Sequence, residues 1–343
     1  MKKYLNTLFV TTQDSYLSKE GETIVVSVEK ETRLQLPIHT ISGIVCFGRV
    51  SISPFLMGFC AENNVAVSFV TEYGNFLASI QGKISGNVLL RREQYRRADD
   101  SIACVQITKN ILTGKLANSK AVLQRALRDH SDKLSGSDMP SAVRKIRLSL
   151  EALQRSGDLD VLRGIEGESA AYYFGVFDDL IVSQKKDFQF RERNRRPPLD
   201  NVNCLLSFVY TLLMHDVRAA LESVGLDPCV GFLHKDRPGR AGLALDIMEE
   251  FRPFLADRLV LSLINREQIS GKGFIKSESG AVMMDDVTRK EILIAYQKRK
   301  QEEIEQPYLK EAVQVGLLFY IQALLLARYL RGDLDGYPVF IWK

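Results

Sequence analysis

The sequence has few cysteines, and they are not arranged as in a disulfide or zinc framework. The five are Cys46, Cys60, Cys104, Cys204 and Cys229. Their number is odd, their spacing is wide, and no two form a C-x-x-C pair. This pattern excludes a disulfide scaffold and argues against a zinc site. We expect the cysteines to be small buried side chains in a reducing compartment.

The sequence also lacks a long apolar run. The longest one, residues 315–330, is shorter than a bilayer span and contains Gln322 and Arg328. Residues 1–15 include two lysines but no apolar stretch of the length that a signal peptide needs. We therefore expect a soluble, cytoplasmic protein.

The motifs of several common enzyme classes are absent. The chain contains no G-x-x-x-x-G-K-[ST] loop, no G-x-G-x-x-G after an expected strand, no H-E-x-x-H and no G-x-S-x-G. Nucleotide hydrolysis, dinucleotide redox chemistry and serine esterase chemistry therefore lose their usual support.

The net charge is small as well. The 343 residues include 46 lysines and arginines against 42 acidic residues, a balance of +4. Residues 1–90 contain seven of each sign, so the whole excess lies in the rest of the chain, where part of it is clustered. The distribution of charge, and not its sum, decides whether a protein suits nucleic acid.

Hydrophobic patterning predicts an α+β protein with two domains. Residues 1–85 contain short β-branched runs separated by turns, which predict a small N-terminal domain of mostly antiparallel strands. A proline and helical spacing within residues 53–63 predict one short helix there. Residues 86–343 repeat apolar side chains every three or four positions, which predicts a larger, all-α domain. Asp200, after two prolines, is the expected cap of one of its helices.

Glu166 lies in the segment RGIEGESAAYYF, between Gly164 and Gly167. The segment has a helical apolar pattern, and a glycine within a helix costs about 1 kcal/mol relative to alanine. Two glycines around one carboxylate indicate that another group approaches closely. From this segment alone, an exposed helical glutamate is the simpler interpretation, and the same applies to Glu168.

His234 opens the basic loop HKDRPGR after an apolar run, where a lone histidine is usually a packed or surface residue. The following segment LALDIMEEF predicts a helix in which Asp246 and Glu249 are three residues apart and share one face. Two carboxylates on one face repel each other unless a cation lies nearby. The alternative is a solvated acidic face that includes Glu250, although the apolar residues of this helix leave little of it for solvent.

A glutamate, a histidine and a further carboxylate together offer a mixed oxygen and nitrogen site for a divalent ion such as Mg²⁺ or Mn²⁺. Basic clusters accompany them and suit a phosphate substrate, although each cluster alone is typical of a solvated surface. The candidate DNA-binding residues are Arg91, Arg92, Arg193, Arg195, Arg196, Lys235, Arg237, Arg240 and Arg252. The combination predicts a metal site within a phosphate-binding cleft.

Three parts of the chain resemble the Cas1 family, the CRISPR-associated integrases of spacer acquisition. RGIEGESAAYYF resembles the family's segment with the first metal-ligand glutamate. RNRRPPLDNVNCLLSFVYTLLMHDV and the following ESVGLDPCVGFLH resemble its stretch from Arg-Arg-Pro-Pro to Gly-Phe-Leu-His, and AGLALDIMEEFRP resembles its acidic helix. A strand-rich domain followed by a helical one is also the family's layout. The residues in these motifs are most similar to those of the subtype I-C branch.

The resemblance implies a role for each candidate catalytic residue. Glu166, His234 and Glu249 fall on the metal-ligand positions, and Asp246 falls on an auxiliary acid one turn earlier. Many relatives have aspartate in place of Glu249, so Asp246 and Glu249 are alternatives for that ligand. His234 is either a ligand or a proton shuttle. The implied cofactor is Mg²⁺ or Mn²⁺.

The resemblance also implies an activity and partners. The 3′-OH of a short DNA duplex would attack a phosphodiester at the repeat boundary of the CRISPR array and insert the duplex as a spacer. The implied partners are double-stranded DNA, a second copy of the chain joined through residues 1–85, and a small ferredoxin-like adaptation protein. Two alternatives stay open: a structure-selective metal-dependent nuclease without strand joining, and a non-enzymatic DNA-binding scaffold.

Overall fold

A computed structural model describes residues 6–63, 65–72, 76–80, 88–132, 134 and 136–342. The chain forms two compact units. The first comprises Met1–Gly86, Leu293–Glu302 and Gln314–Leu317, and the second comprises Asn87–Ile292, Glu303–Val313 and Leu318–Lys343. The expected domain boundary between residues 85 and 86 lies outside the described residues and stays a prediction.

The N-terminal part of the first unit is rich in strands. They are β1 (Asn6–Val10), β2 (Ser15–Glu20), β3 (Thr23–Val28), β4 (Glu31–Pro37), β5 (Ile41–Phe47), β6 (Val50–Ile52), β7 (Ala66–Val70) and β8 (Phe76–Ile80). The expected short helix is confirmed as α1 (Pro54–Glu62). Its first turn contains Pro54, and the Ser53 hydroxyl accepts a hydrogen bond from the Leu56 amide at 3.2 Å.

The strands form two four-stranded sheets of mixed direction, in the orders β1-β5-β7-β8 and β4-β3-β2-β6. Strand β5 pairs in parallel with β1 and β7, and β2 pairs in parallel with β6. The pairings of β2 with β3, β3 with β4 and β7 with β8 are antiparallel. The expectation of mostly antiparallel strands is therefore wrong. Strand β5 shows why: its side chains at Ile41, Ile44, Val45, Cys46 and Phe47 are buried, so both faces of this strand are covered, as is typical of parallel pairing.

Most of the cysteines are buried, as predicted. Burial raises the pKa of the Cys46 and Cys60 thiols in the core of the first unit to about 12, so neither is a reactive thiolate. Cys104 and Cys204 are also buried, but Cys229 is exposed, so the prediction is wrong at that position.

The second unit is mainly helical. Its helices are α2 (Val88–Asp99), α3 (Ser101–Asp129), α4 (Met139–Arg155), α5 (Leu159–Gly175), α6 (Asn201–Val224), α7 (Gly242–Met248), α8 (Arg258–Asn265) and α10 (Leu318–Leu330), and α9 (Asp286–Gln301) is divided between the units. Two hairpins accompany them: β9 (Phe274–Lys276) with β10 (Val282–Met284), and β11 (Glu303–Gln306) with β12 (Glu311–Gln314). The expectation of an all-α second domain is therefore wrong. The first hairpin forms at a turn in which Gly280 takes a φ of +83°, which favours glycine.

Capping side chains define the starts of the helices that carry the site. The Asp158 carboxylate accepts a hydrogen bond from the Val161 amide at 2.9 Å where α5 begins. The Asp200 carboxylate accepts one from the Asn203 amide at 2.7 Å, which confirms the expected cap of α6. Helix α6 ends at Gly225, whose φ is +89°.

Helix α6 is long and apolar enough to cross a membrane by length and composition alone. However, 56% of its most apolar window is buried inside the structure, and α6 packs against α7, α8 and α10. A core helix of a globular protein has the same properties, so this helix is only a weak indication of a membrane span.

Candidate functional site

A pocket of about 520 Å³, part of it open to solvent, lies among helices α3, α4, α5 and α6 and the segment after α7. The side chains that line it are acidic, basic, hydroxyl-bearing and apolar. They are Lys115, Leu116, Ser119, Ile146, Glu166, Ser169, Ala170, Tyr173, Phe174, Arg195, Tyr210, Glu249, Arg252, Pro253 and Asp257. Two expected catalytic residues, Glu166 and Glu249, and two expected DNA-binding residues, Arg195 and Arg252, therefore meet in one pocket.

The carboxylates of Glu166 and Glu249 share one cation, the ammonium of Lys115. Its Nζ contacts Glu166 Oε1 and lies 2.8 Å from Glu249 Oε2. Glu249 Oε2 is buried, and no donor within the described part of the chain is aligned for a hydrogen bond to it. Its contact with Lys115 is therefore an ion pair. The side chains of Lys115 and Glu249 are only 13% and 3% exposed, so this pair is far less screened than a surface pair.

Glu249 has a second cationic neighbour, Arg252, whose Nη1 donates to Glu249 Oε1 at 2.5 Å. Burial alone would raise the pKa of Glu249, but the charges of Arg252 and Lys115 outweigh it and lower that pKa to about 2. The Nε of Arg252 is buried and donates to no group among the residues described. Arg252 therefore retains a donor that suits an anion such as a phosphate.

Asp246 holds His234 from a fully buried position. Its Oδ2 accepts hydrogen bonds from the amides of Phe232 and Leu233, at 2.6 and 3.0 Å. Its Oδ1 accepts one from the His234 amide at 3.1 Å and lies 2.6 Å from His234 Nδ1. Because an ionised carboxylate only accepts, Nδ1 carries the proton of the neutral imidazole, and Nε2 of that tautomer has a lone pair. Asp246 thus orients the imidazole, and its own oxygens are occupied.

The chain between α7 and α8 departs from the regular helix that the sequence predicts. Helix α7 ends at Met248, and residues Arg252–Asp257 wind as a π-helix. Pro253 lies in this wider turn and lacks the amide donor that a regular α-helix would need there. Asp246 lies within α7 and contacts the loop before that helix, whereas Glu249 follows the end of α7 and faces the pocket.

Asp257 joins two tyrosines in the wall of the pocket. Its oxygens accept hydrogen bonds from the hydroxyls of Tyr210, at 2.7 Å, and Tyr173, at 3.0 Å. Burial raises the pKa of Asp257 to about 6. The guanidinium groups of Arg193 and Arg252 lie over the Tyr210 ring, at 5.3 and 5.0 Å from its centroid. This network fixes Arg252 beside Glu249.

The expected metal ligands are brought together only in part. Within the described ranges, no three His, Cys, Asp or Glu side chains are close enough to hold a metal ion together. Glu166 and Glu249 meet at Lys115, and the imidazole of His234 is near enough to Glu249 to lower the pKa of that carboxyl when the imidazole is protonated. The donors still fit a divalent cation, because Glu249 Oε2 is a buried carboxylate oxygen without an aligned hydrogen bond. Glu166 and Glu249 would hold the ion, and His234 Nε2 is the remaining donor of the expected set.

Some expected DNA-binding residues are exposed and others are engaged within the protein. Besides Arg195 and Arg252 in the pocket, the exposed ones are Arg92, Arg196, Lys235 and Arg237. Lys235 lies 3.5 Å from the Asp160 carboxylate in an exposed ion pair. Such pairs are weak, so this one leaves Lys235 available to a phosphate.

Three of the expected DNA-binding arginines make internal contacts instead. Arg91 Nε donates to the carbonyl of Gly225 at 3.1 Å, and Arg193 Nη1 donates to Asn203 Oδ1 at 2.6 Å. Arg240 Nη1 donates to the carbonyl of the neighbouring Lys235 at 3.4 Å. We assign Arg91 and Arg193 to the framework of the site and not to its surface.

The sequence motifs do not indicate a functional role for four residues of the pocket: Lys115, Tyr173, Tyr210 and Asp257. The pair Gly114-Lys115 lacks the flanks of a phosphate loop, so sequence patterns gave it no role. One signal was available: Lys115 lies in the apolar pattern of α3 near two buried polar residues, Asn118 and Ser119. Polar residues on the buried face of a helix need partners, which indicates a site.

Comparison with known proteins decides the family. A family model described as CRISPR associated protein Cas1 matches residues 8–298. The chain belongs to the Cas1 family. CRISPR-associated endonuclease Cas1 1 of Chlorobaculum tepidum is 56% identical over 343 residues, and CRISPR-associated endonuclease Cas1 2 of Rhodospirillum rubrum is 49% identical over 358. Each alignment covers 100% of this Cas1 chain and 100% of its relative.

Solved structures share the fold of this Cas1 family member. A Cas1 protein from Thermotoga maritima has a TM-score of 0.81 at 23% identity, with 98% of this chain and 100% of that one covered. A casposase bound to an integration product has a TM-score of 0.83 at 23% identity, with 98% and 94% covered. The α+β fold class, a β-rich N-terminal region followed by a helical one, is confirmed.

Proposed function

We propose that this Cas1 family member is a metal-dependent DNA integrase and endonuclease that inserts short duplexes into a CRISPR array. One observation carries the proposal: Glu166 and Glu249 face a shared cation in a pocket that Arg195 and Arg252 also line. The relatives are named endonucleases, and the casposase of similar fold is bound to an integration product. Those names suggest the reaction class, and the pocket supplies groups suited to it.

The pocket residues suit phosphoryl transfer. Bound between Glu166 and Glu249, Mg²⁺ or Mn²⁺ would lower the pKa of the attacking hydroxyl and neutralise charge on the phosphate. Arg252 and Arg195 bind the non-bridging phosphate oxygens and orient the phosphodiester. Asp246 fixes the tautomer of His234, so that Nε2 is available either as a third ligand or to accept the proton of the hydroxyl.

In the integration reaction, the 3′ oxygen of the donor duplex forms a bond to phosphorus. The bond from phosphorus to the 3′ oxygen of the repeat strand breaks, and that oxygen leaves as a hydroxyl. With water in place of the donor hydroxyl, the same groups hydrolyse the phosphodiester. A nuclease that does not join strands is therefore the second candidate function, and the names of the relatives favour it.

The test is strand joining of a short duplex into supercoiled plasmid with Mn²⁺. We expect Glu166→Ala to reduce joining at least about a hundredfold while DNA binding is retained. The matched control is Glu168→Ala on the same helix, because Glu168 is exposed and its carboxylate accepts a hydrogen bond from the Tyr172 hydroxyl outside the pocket. Equal joining by Glu166→Ala and wild type would contradict the proposal. Nicked plasmid without joined donor would favour the plain nuclease.

The metal itself has a separate test. We expect Mn²⁺ to raise the unfolding temperature of the wild type, since an ion that binds only the folded state stabilises it. Glu249→Ala should lose most of that response. If Mn²⁺ does not raise the unfolding temperature of the wild type, the result would favour the non-enzymatic DNA-binding scaffold, whose acidic residues bind no metal.

We also propose the partners that the family resemblance implies: double-stranded DNA, a second copy of the chain joined through residues 1–85, and a small ferredoxin-like adaptation protein. A solved chain titled as part of a Cas6-RT-Cas1–Cas2 complex has a TM-score of 0.81 at 20% identity, with 98% of this chain and 36% of that one covered. The presence of Cas2 in that complex supports a Cas2-type partner. Joining assays with and without the small protein test this dependence. Membership of the I-C branch and a cytoplasmic location belong to the same proposal.

A further inference from the structure

The ammonium of Lys115 occupies the place where the proposed divalent metal ion is expected to bind. Its ammonium lies between two carboxylates, in contact with Glu166 Oε1 and 2.8 Å from Glu249 Oε2. Mg²⁺ takes carboxylate oxygens at about 2.1 Å. An ion held by these two oxygens would therefore need the space that Lys115 Nζ fills.

The charges around the two carboxylates are already balanced. Lys115 and Arg252 supply two positive charges against the two negative charges of Glu166 and Glu249. A divalent ion added to this group leaves an excess of two positive charges beside a carboxylate that is 3% exposed. Such an excess is costly in a buried site, so one cation must move when the ion arrives.

Lys115 is better able to move than Arg252. The guanidinium of Arg252 is fixed by its bond to Glu249 and by its position over the Tyr210 ring. The lysine ammonium is a compact charge on a flexible four-carbon stem with three rotatable donors. A short movement of the stem would keep the ammonium inside the pocket, which Lys115 lines together with Arg195 and Arg252.

We propose that Lys115 stands in for the divalent cation in the metal-free protein, and that metal binding is an exchange of cations that releases the ammonium to a DNA phosphate. The inference rests on the proposed metal site. The exchange couples metal binding to DNA binding. Without metal, the ammonium is held by Glu166 and Glu249, and with metal it contributes one contact to the DNA backbone.

Metal titration followed by thermal unfolding tests the exchange in the full chain. In Lys115→Met the long unbranched side chain is kept, but the competing charge is lost. We expect half-maximal stabilisation at about a tenfold lower Mn²⁺ concentration than in wild type, a shift that corresponds to about 1.4 kcal/mol. The matched control is Lys109→Met on the same helix, whose Nζ donates to the carbonyl of Gln154 outside the pocket. It should titrate like wild type.

The outcomes separate this inference from the proposed function. No Mn²⁺ response in the wild type would overturn both. A response of Lys115→Met at the wild-type concentration, or at a higher one, would overturn the exchange alone, because a merely structural lysine does not compete with the ion. If Lys115→Met does not fold, Lys115→Gln is titrated in its place with the same expectation.

The release of the ammonium has its own readout in the salt dependence of DNA affinity. Each phosphate contact contributes about 0.9 to the slope of log affinity against log salt concentration. With Mn²⁺, we expect the slope for Lys115→Met to be smaller than that of wild type by about one such contact. Without Mn²⁺ the two slopes should agree. Equal slopes in the presence of Mn²⁺ would overturn the release to phosphate.

Discussion

Glu249 and Glu250 are neighbours in the sequence and are both buried, yet their carboxyl groups differ in charge. Burial alone would raise the pKa of either group. At Glu249, Arg252 and Lys115 outweigh burial and lower the pKa to about 2. At Glu250, burial prevails and raises the pKa to about 8. The first group is therefore an anion at neutral pH, and the second is mostly an uncharged acid.

The difference follows from the partners of the two carboxyl groups. Glu250 meets only uncharged donors among its hydrogen-bond partners in the described chain: the Tyr337 hydroxyl at 2.6 Å, the Phe340 amide at 2.9 Å and the Gln322 side-chain amide at 3.1 Å. Neutral donors offset part of the cost of burial but supply no opposite charge. Two adjacent buried glutamates thus acquire different roles, one in the pocket and one in the framework.

The framework role of Glu250 is to fasten the C-terminal segment, residues 337–342, beside the site. Asn118 of α3 completes this attachment, since its side-chain amide donates to the carbonyls of Glu250 and Phe340, at 2.7 and 3.1 Å. The amide of Trp342 donates to Asn118 Oδ1 at 2.7 Å. The C-terminal segment therefore holds helix α3, which contains Lys115, next to the backbone of Glu250.

The largest predicted effect is a difference in strand-joining activity between variants of Glu249 and of Glu250. Glu249→Gln removes the charge that Lys115, Arg252 and the proposed metal share, and we expect strand joining to fall at least about a hundredfold. Glu250→Gln replaces a mostly uncharged acid by a neutral side chain of similar shape and should stay within about twofold of wild type at pH 7. Joining assays at saturating Mn²⁺ measure both. A similar loss in the two variants would mean that charge is not what distinguishes them.

The sequence could predict the parts of the site that depend on local pattern. Pro54 and helical spacing indicated α1, Asp200 indicated the cap of α6, and family resemblance placed Glu166 and Glu249 in one site. These signals come from residues that are close in sequence or that match a motif. They do not depend on how distant segments pair.

The remaining features depend on long-range packing that no local pattern encodes. The parallel pairing of β5 joins strands that are far apart in sequence. Local pattern could not show that the Glu249 carboxyl is charged and the Glu250 carboxyl mostly uncharged, because this difference arises from Lys115 of α3 and Tyr337 near the C-terminus. The π-helix at Arg252–Asp257 also escaped a pattern that fits a regular helix.

A substitution with an intermediate expected effect tests how tightly the C-terminal segment, residues 337–342, packs against α3. A Cβ at Gly114 would overlap Val339 Cγ2 and lie 3.2 Å from the carbonyl oxygen of Phe340. We therefore expect Gly114→Ala to lower the free energy of unfolding by about 1–3 kcal/mol. In the control Gly164→Ala, the new Cβ meets nothing within 4 Å, so this variant should gain about 0.5–1 kcal/mol. Urea unfolding of both proteins measures the difference, and equal stability of Gly114→Ala and wild type would contradict the packing.

The smallest predicted effect is on the pH dependence of stability. The folded-state pKa of Glu250, about 8, lies above its ordinary value of 4.5, so the folded protein retains a proton that the unfolded chain has lost. Stability therefore falls as pH rises from 4.5 through 8, whereas the contribution of Glu249 is lost only as pH falls from 4.5 towards 2. Asp257, with a pKa of about 6, adds to the fall only at lower pH.

Glu250→Gln should flatten this fall without changing the acid side of the profile. Between pH 6.5 and 8 we expect the free energy of unfolding of wild type to decline by about 1 kcal/mol per pH unit, below the limit of about 1.4 for one proton. The variant should show a much smaller slope, because its amide does not titrate and Tyr337, the ionisable partner of Glu250, has a pKa raised well above its ordinary value. Urea unfolding in chelator, at half-unit steps of pH, measures both slopes. Parallel profiles would show that Glu250 is already ionised in the folded protein, and the contrast with Glu249 would then lie in geometry and not in charge.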